Sequence, residues 1–138
     1  MKTNLVIIAL ALTLFSACKK DASSVRKTTY TFVAQSNSGI TGTVSFIEKA
    51  DSSQTTVDFE LNNTPASQYM AHIHQGTPAS YHGAIYYFDP IYAYGSKISY
   101  KQNIPLLYDS ALTLNGTVAF HDSTGNLTLG ICGVGKNK

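Results

Sequence analysis

The chain is poor in the residues that mark most redox and binding classes. It has two cysteines, no tryptophan and a single arginine, Arg26. Two cysteines exclude a disulfide framework and a multi-thiolate metal cluster. Charged residues make up 13% of the sequence, and no basic block is interleaved with aromatic rings, so no nucleic-acid partner is expected. Beyond the first fifteen residues no apolar run approaches the length of a membrane span. There is no heptad, no internal repeat and no convincing helical period outside that first segment. Histidine is scarce as well, with four: His72, His74, His82 and His121.

The first segment runs from Leu5 to Phe15 behind Lys2. An apolar stretch of about a dozen residues after a lysine is too short to span a bilayer comfortably and reads as a signal peptide. It ends in Phe15-Ser16-Ala17-Cys18, and small residues before a cysteine resemble the bacterial lipobox, where cleavage exposes the cysteine for acylation. The alternative is an ordinary signal peptide with an incidental cysteine. The expected organisation is a lipoprotein signal peptide over residues 1–17, lipidation at Cys18, a polar tether over 18–27 and one domain over 28–138. That places the protein in the bacterial cell envelope, touching membrane through its N-terminal lipid on the periplasmic or outer-membrane face.

From Thr28 onward the pattern is all-β. Val57, Phe59 and Leu61 alternate with polar neighbours, as do Leu127, Leu129 and Ile131. Strands are expected at Tyr69 to His74 and Ala84 to Phe88, with a loop between Gln75 and Tyr81. Ile91 to Gly95 carries Tyr92 and Tyr94 and matches neither period. Lys97 to Tyr100 and Asn103 to Leu107 read as strand and connection, with Pro105 at an edge or break. Turns rich in Gly, Asn, Asp, Pro and Ser separate these runs, which argues for an antiparallel sandwich or barrel.

The chemistry concentrates in Met70-Ala71-His72-Ile73-His74-Gln75-Gly76. On a strand, His72 and His74 project from one face with Cβ atoms about 6–7 Å apart, near enough to converge on one ion, while Ile73 points into a core. His121 ends a later strand on the face of Thr117 and Ala119, opposite to Val118 and Phe120. The expectation is that His72, His74, His82 and His121 gather on one metal. Imidazoles suit copper or zinc, and affinity alone favours copper. No Met or Cys stands where a blue-copper site needs one. Cys132 is either a small buried hydrophobe or an exposed thiol that helps to deliver copper.

Four segments also resemble, in order, the copper,zinc superoxide dismutase family: Gly39-Ile40-Thr41-Gly42-Thr43-Val44-Ser45-Phe46, His72-Ile73-His74-Gln75-Gly76, Leu114-Asn115-Gly116-Thr117-Val118-Ala119-Phe120-His121-Asp122 and Cys132-Gly133-Val134-Gly135. The resemblance implies an immunoglobulin-like Greek-key β-sandwich or barrel of about eight antiparallel strands. It implies that His72, His74 and His121 are copper ligands and that His82 matches the histidine that bridges copper and zinc. The departures are specific. No histidine lies between His82 and His121, so a zinc site is not expected. Leu129 stands where the family has the arginine that guides superoxide, and the cysteine that would pair with Cys132 is missing. The nearest pattern is the copper-only type. His72 to Ile85 also resembles the chordin-type domain of secreted proteins, which carries a paired-histidine motif followed by a glycine loop and a strand.

Three functions follow from this reading. One is a copper-dependent superoxide dismutase, with superoxide as substrate. Another is a non-catalytic copper-binding or copper-handling lipoprotein, which needs no anion guide. The third is a structural or adhesive β-domain with its histidines only partly assembled.

Overall fold

The computed structural model describes residues 25–138. The expected signal segment, Cys18 and the first part of the tether lie outside the described residues. The chain forms strands β1 (Lys27–Ala34), β2 (Thr41–Glu48), β3 (Thr55–Asn62), β4 (Ser67–Thr77), β5 (Ser80–Tyr87), β6 (Ile91–Ala93) and β7 (Lys97–Ile104). A short helix α1 (Tyr108–Leu112) follows, then β8 (Asn115–His121) and β9 (Thr128–Gly135). All pairings are antiparallel.

The strands form one curled sheet in the order β5-β4-β8-β9-β1-β2-β3-β7, and β6 continues the edge of β4. Strands β1 to β3 are a meander. The chain then crosses to β4, returns through β5 and β6 to pair β7 with β3, and crosses again to set β8 beside β4. These crossings make the connectivity a Greek key. The all-β expectation from alternation holds.

Strands β5 and β7 are the two ends of the hydrogen-bonded path. Side chains bridge them. The Tyr86 hydroxyl donates to the Asn103 carbonyl at 3.3 Å and accepts from Gln102 Nε2 at 3.2 Å. The Asp89 amide donates to Gln102 Oε1 at 2.9 Å. The two ends of the curled sheet are linked here by these side-chain contacts and not by a backbone ladder.

The alternating residues fill the interior. Val44, Phe46, Val57, Phe59, Val118, Phe120 and Val134 are fully buried. Phe120 stacks on Tyr69 with ring centroids 4.9 Å apart, and Phe59 meets Phe88 edge-on at 5.0 Å. Each such ring removed from water contributes about 1.5–3 kcal/mol. Ile73, the residue between the paired histidines, is 1% exposed and belongs to this core.

Three local expectations are corrected. Gln75 to Tyr81 is not a loop: β4 and β5 run through it and meet at a two-residue turn, Pro78-Ala79, because Thr77 pairs with Ser80. Gly76 makes this possible. Its φ is +113°, and a Cβ there would lie 2.5 Å from the Ser80 carbonyl oxygen. Lys97 to Ile104 is one continuous strand, ended by Pro105. The described residues also contain a helix, which the sequence did not lead one to expect. α1 spans five residues in the crossover from β7 to β8 and buries Tyr108 and Ala111, three apart on one face. So short a turn leaves no period in the sequence.

Arg26, assigned to the tether by sequence, is tied to the barrel. It pairs with Glu48 at 2.6 Å and Asp109 at 2.7 Å, and its guanidinium lies 4.7 Å from the centre of the Tyr108 ring. The folded unit therefore includes Arg26 and Lys27.

Candidate metal centre

Strand β4 splits its residues between two faces. Tyr69, Ala71 and Ile73 are buried in the core, while Met70, His72 and His74 are half-buried on the outer face. On β8, Val118 and Phe120 face the core and Thr117, Ala119 and His121 share the outer face. The register sets Ala119 opposite His72, Thr117 opposite His74 and His121 opposite Met70. Small residues thus stand across from the paired histidines and leave room, while His121 reaches His72 along the sheet diagonal.

The three imidazoles converge. Ring centroids are 5.6 Å apart for His72 and His74, 5.1 Å for His72 and His121, and 5.9 Å for His74 and His121. One ligand atom from each lies within 4.8 Å of the others.

Neighbouring atoms select which nitrogens face inward. His74 Nδ1 is 2.7 Å from the carbonyl oxygen of His82. A carbonyl only accepts, so Nδ1 carries the hydrogen and Nε2 keeps its lone pair. His121 Nδ1 is 3.3 Å from Thr128 Oγ1, which is 3.3 Å from the Tyr81 hydroxyl. The Nε2 atoms of His74 and His121 are buried and have no hydrogen-bond partner. Buried polar atoms without partners are uncommon and call for an explanation. Two of them on converging imidazoles fit a cation held between the rings, and the donor set fits an imidazole-binding transition metal.

The electrostatics suit the same purpose. Burial, then the neighbouring His72 and His74, push the His121 pKa down to about 4, against a small opposing effect of Asp122. Burial and His74 also lower that of His72. Both rings therefore stay neutral at pH 7, with lone pairs free for a metal without displacing a proton.

Two tyrosines wall the site. Tyr87 lies 4.7 Å from His72 and Tyr81 lies 4.8 Å from His74, centroid to centroid. Tyr87 is exposed and forms the outer lip.

His82 does not join the group. Its side chain is exposed on β5, and what it gives the site is its main-chain carbonyl. The cause is an irregular register. His82 and Gly83 stand opposite the single Gln75, so His82 shares the face of Gln75 rather than that of His74. The sequence expectation of four converging histidines is thereby reduced to three.

Other singled-out residues have plain roles. The Asp122 carboxylate accepts from Thr124 Oγ1 at 2.9 Å and from the amides of Asn126 and Leu127 at 3.2 and 3.3 Å, which organises the turn after His121. Leu129 is packed against the core and brings no charge to the site. Cys132 is 3% exposed, and burial pushes its thiol pKa up to about 12. It is a small buried hydrophobe. Tyr81, Tyr87 and Thr128 were not singled out by sequence, because their places depend on strand register across β5 and β9.

Comparison with known proteins adds no assignment: no family model, no curated protein and no solved structure matches this chain.

Proposed function

We propose that this protein is a copper-binding domain of the bacterial cell envelope. It holds one ion through His72, His74 and His121 and leaves a position open to a small diffusible molecule. The observation that carries this reading is the pair of buried, unpartnered Nε2 atoms on His74 and His121. The ordered likeness of four segments to the superoxide dismutase family supports it, as does the higher affinity of such ligands for copper than for zinc.

When bound, copper supplies the one-electron exchange by which superoxide is dismutated to dioxygen and peroxide. The chain's own residues prepare that site. The His82 carbonyl fixes the His74 tautomer, Thr128 orients His121, and the Tyr81 and Tyr87 rings exclude water from two sides. Nothing steers an anion inward where Leu129 replaces the family's arginine. Lost steering typically lowers an on-rate by ~10-fold or more. That substitution favours a second reading, a non-catalytic copper-handling protein that uses the same three ligands.

A cytochrome c reduction assay on the copper-loaded full chain separates the two. Dismutase activity appears as copper-dependent protection of cytochrome c that the His121→Ala variant lacks. Bound copper with no protection assigns the protein to copper handling.

A further inference from the structure

The face that carries the three histidines continues into a row of tyrosines. β5 and β6 together form the outer edge of β4. His72 pairs with Tyr87 and Gln68 pairs with Tyr92, so both tyrosines share the histidine face. Tyr94 follows Tyr92 by two residues. The rings are open: Tyr87 is 66% exposed, Tyr92 56% and Tyr94 92%. Tyr81, tilted against His74 with ring centroids 4.8 Å apart, closes the other end of the row. The partners of Tyr87 and Tyr92, His72 and Gln68, are four positions apart on β4, which sets those two residues about 13 Å apart along the strand.

The row is narrow, aromatic and nearly uncharged. From Ser67 to Ser96 the one Asp, Glu, Lys or Arg is Asp89. A strip one strand wide does not supply the broad patch of roughly 800 Å² per partner that a stable protein interface needs. An added peptide strand is also disfavoured, because β5 has two register irregularities and Pro90 interrupts the edge. What fits is an extended neutral chain of flat units. Its C–H bonds meet the electron-rich ring faces, and its hydroxyls bond to the phenols and to the Gln68 amide.

We propose that the Tyr87–Tyr92–Tyr94 row binds a neutral glycan and lays it across the mouth of the histidine site. The inference goes beyond metal binding and does not depend on it, since the three rings are exposed to solvent and none of them is a metal-ligand candidate.

Saturation-transfer NMR on the full chain, without metal, tests it with cellohexaose, chitohexaose and mannohexaose. The expected result is saturation of the ring protons of at least one hexasaccharide. Affinity should fall at least 10-fold in the Tyr87→Ala/Tyr92→Ala variant and fall clearly less in Tyr87→Phe/Tyr92→Phe, which preserves the ring faces and loses only the phenol hydrogen bonds. The His121→Ala variant should bind the sugar like the parent, so failure of the copper reading leaves this result intact. No transfer to any of the three at millimolar sugar overturns the proposal. So does undiminished binding to the folded double-alanine variant, or binding confined to an anionic hexamer of galacturonate.

Discussion

His74 Nδ1 donates its hydrogen to the main-chain carbonyl of His82, 2.7 Å away, and this single bond decides which nitrogen of His74 faces His72 and His121. Metal-binding histidines commonly hold their second nitrogen on a backbone carbonyl, which fixes tautomer and ring orientation. His82 therefore serves through its backbone. Replacing it with alanine is expected to leave copper affinity unchanged in a chelator competition. Replacing His72, His74 or His121 with alanine removes a donor and should exceed the ~100-fold loss at the upper end for outer partners.

Tyr81, Thr128 and His121 form a chain in which direction matters. If His121 binds through Nε2, its Nδ1–H donates to Thr128 Oγ1, and the threonine proton turns to the Tyr81 oxygen. Tyr81→Phe removes that acceptor, and Thr128 then donates back to Nδ1 and favours the wrong tautomer. Thr128→Val and Tyr81→Phe are each expected to weaken copper binding by ~10–100-fold. Nitrogen-15 NMR of the metal-free protein should show His121 shifting toward the Nε2–H form in Tyr81→Phe. An unchanged tautomer contradicts the chain.

The buried histidine makes stability depend on pH. His121 titrates near pH 4 when folded, below the ordinary histidine value of 6.5. Between those values the unfolded chain binds more protons than the folded one, so stability rises with pH in that window and is lost as pH falls through it. Metal-free protein should show a falling Tm from pH 6.5 toward 4. His121→Gln, which has nothing to titrate there, should flatten part of that slope in a series of thermal melts.

The strands were legible because burial imposes a period of two. Val57, Phe59 and Leu61 read inward from sequence and are inward. His72 and His74 were legible for the same reason, because a two-residue spacing forces a shared face. His121 was harder, since its approach to His72 is a long-range diagonal that the ordered segments of the superoxide dismutase family suggested. His82 misled because alternation assumes a regular strand. One extra residue in β5 turned its ring away, and no residue type announces that irregularity. Helix α1 was hidden by its length. Arg26 was hidden because its carboxylate partners come from β2 and α1.

Cys132 lies on β9 opposite Val118 and is buried in the core, so it is not placed to hand copper to the histidines. The thiol should resist iodoacetamide at pH 8 in the folded protein and react fully in denaturant. Cys132→Ala is expected to cost about 0.5–3 kcal/mol of stability by denaturant titration while keeping copper affinity. Rapid alkylation of the folded chain would restore the delivery role.

Arg26 offers a contrast between geometry and energy. Its two ion pairs are short, yet the side chain is half exposed and water screens the attraction. Arg26→Ala should move the midpoint of urea unfolding only slightly, because solvent screens exposed ion pairs.

The most direct measurement is copper titration of the full chain purified without added metal, followed by electron paramagnetic resonance and by metal analysis. One copper per chain is expected, with nitrogen hyperfine structure from imidazoles, lost in His121→Ala and kept in His82→Ala. A chain that takes up no copper, prefers zinc in direct competition, or binds copper equally well without His121 would contradict the account.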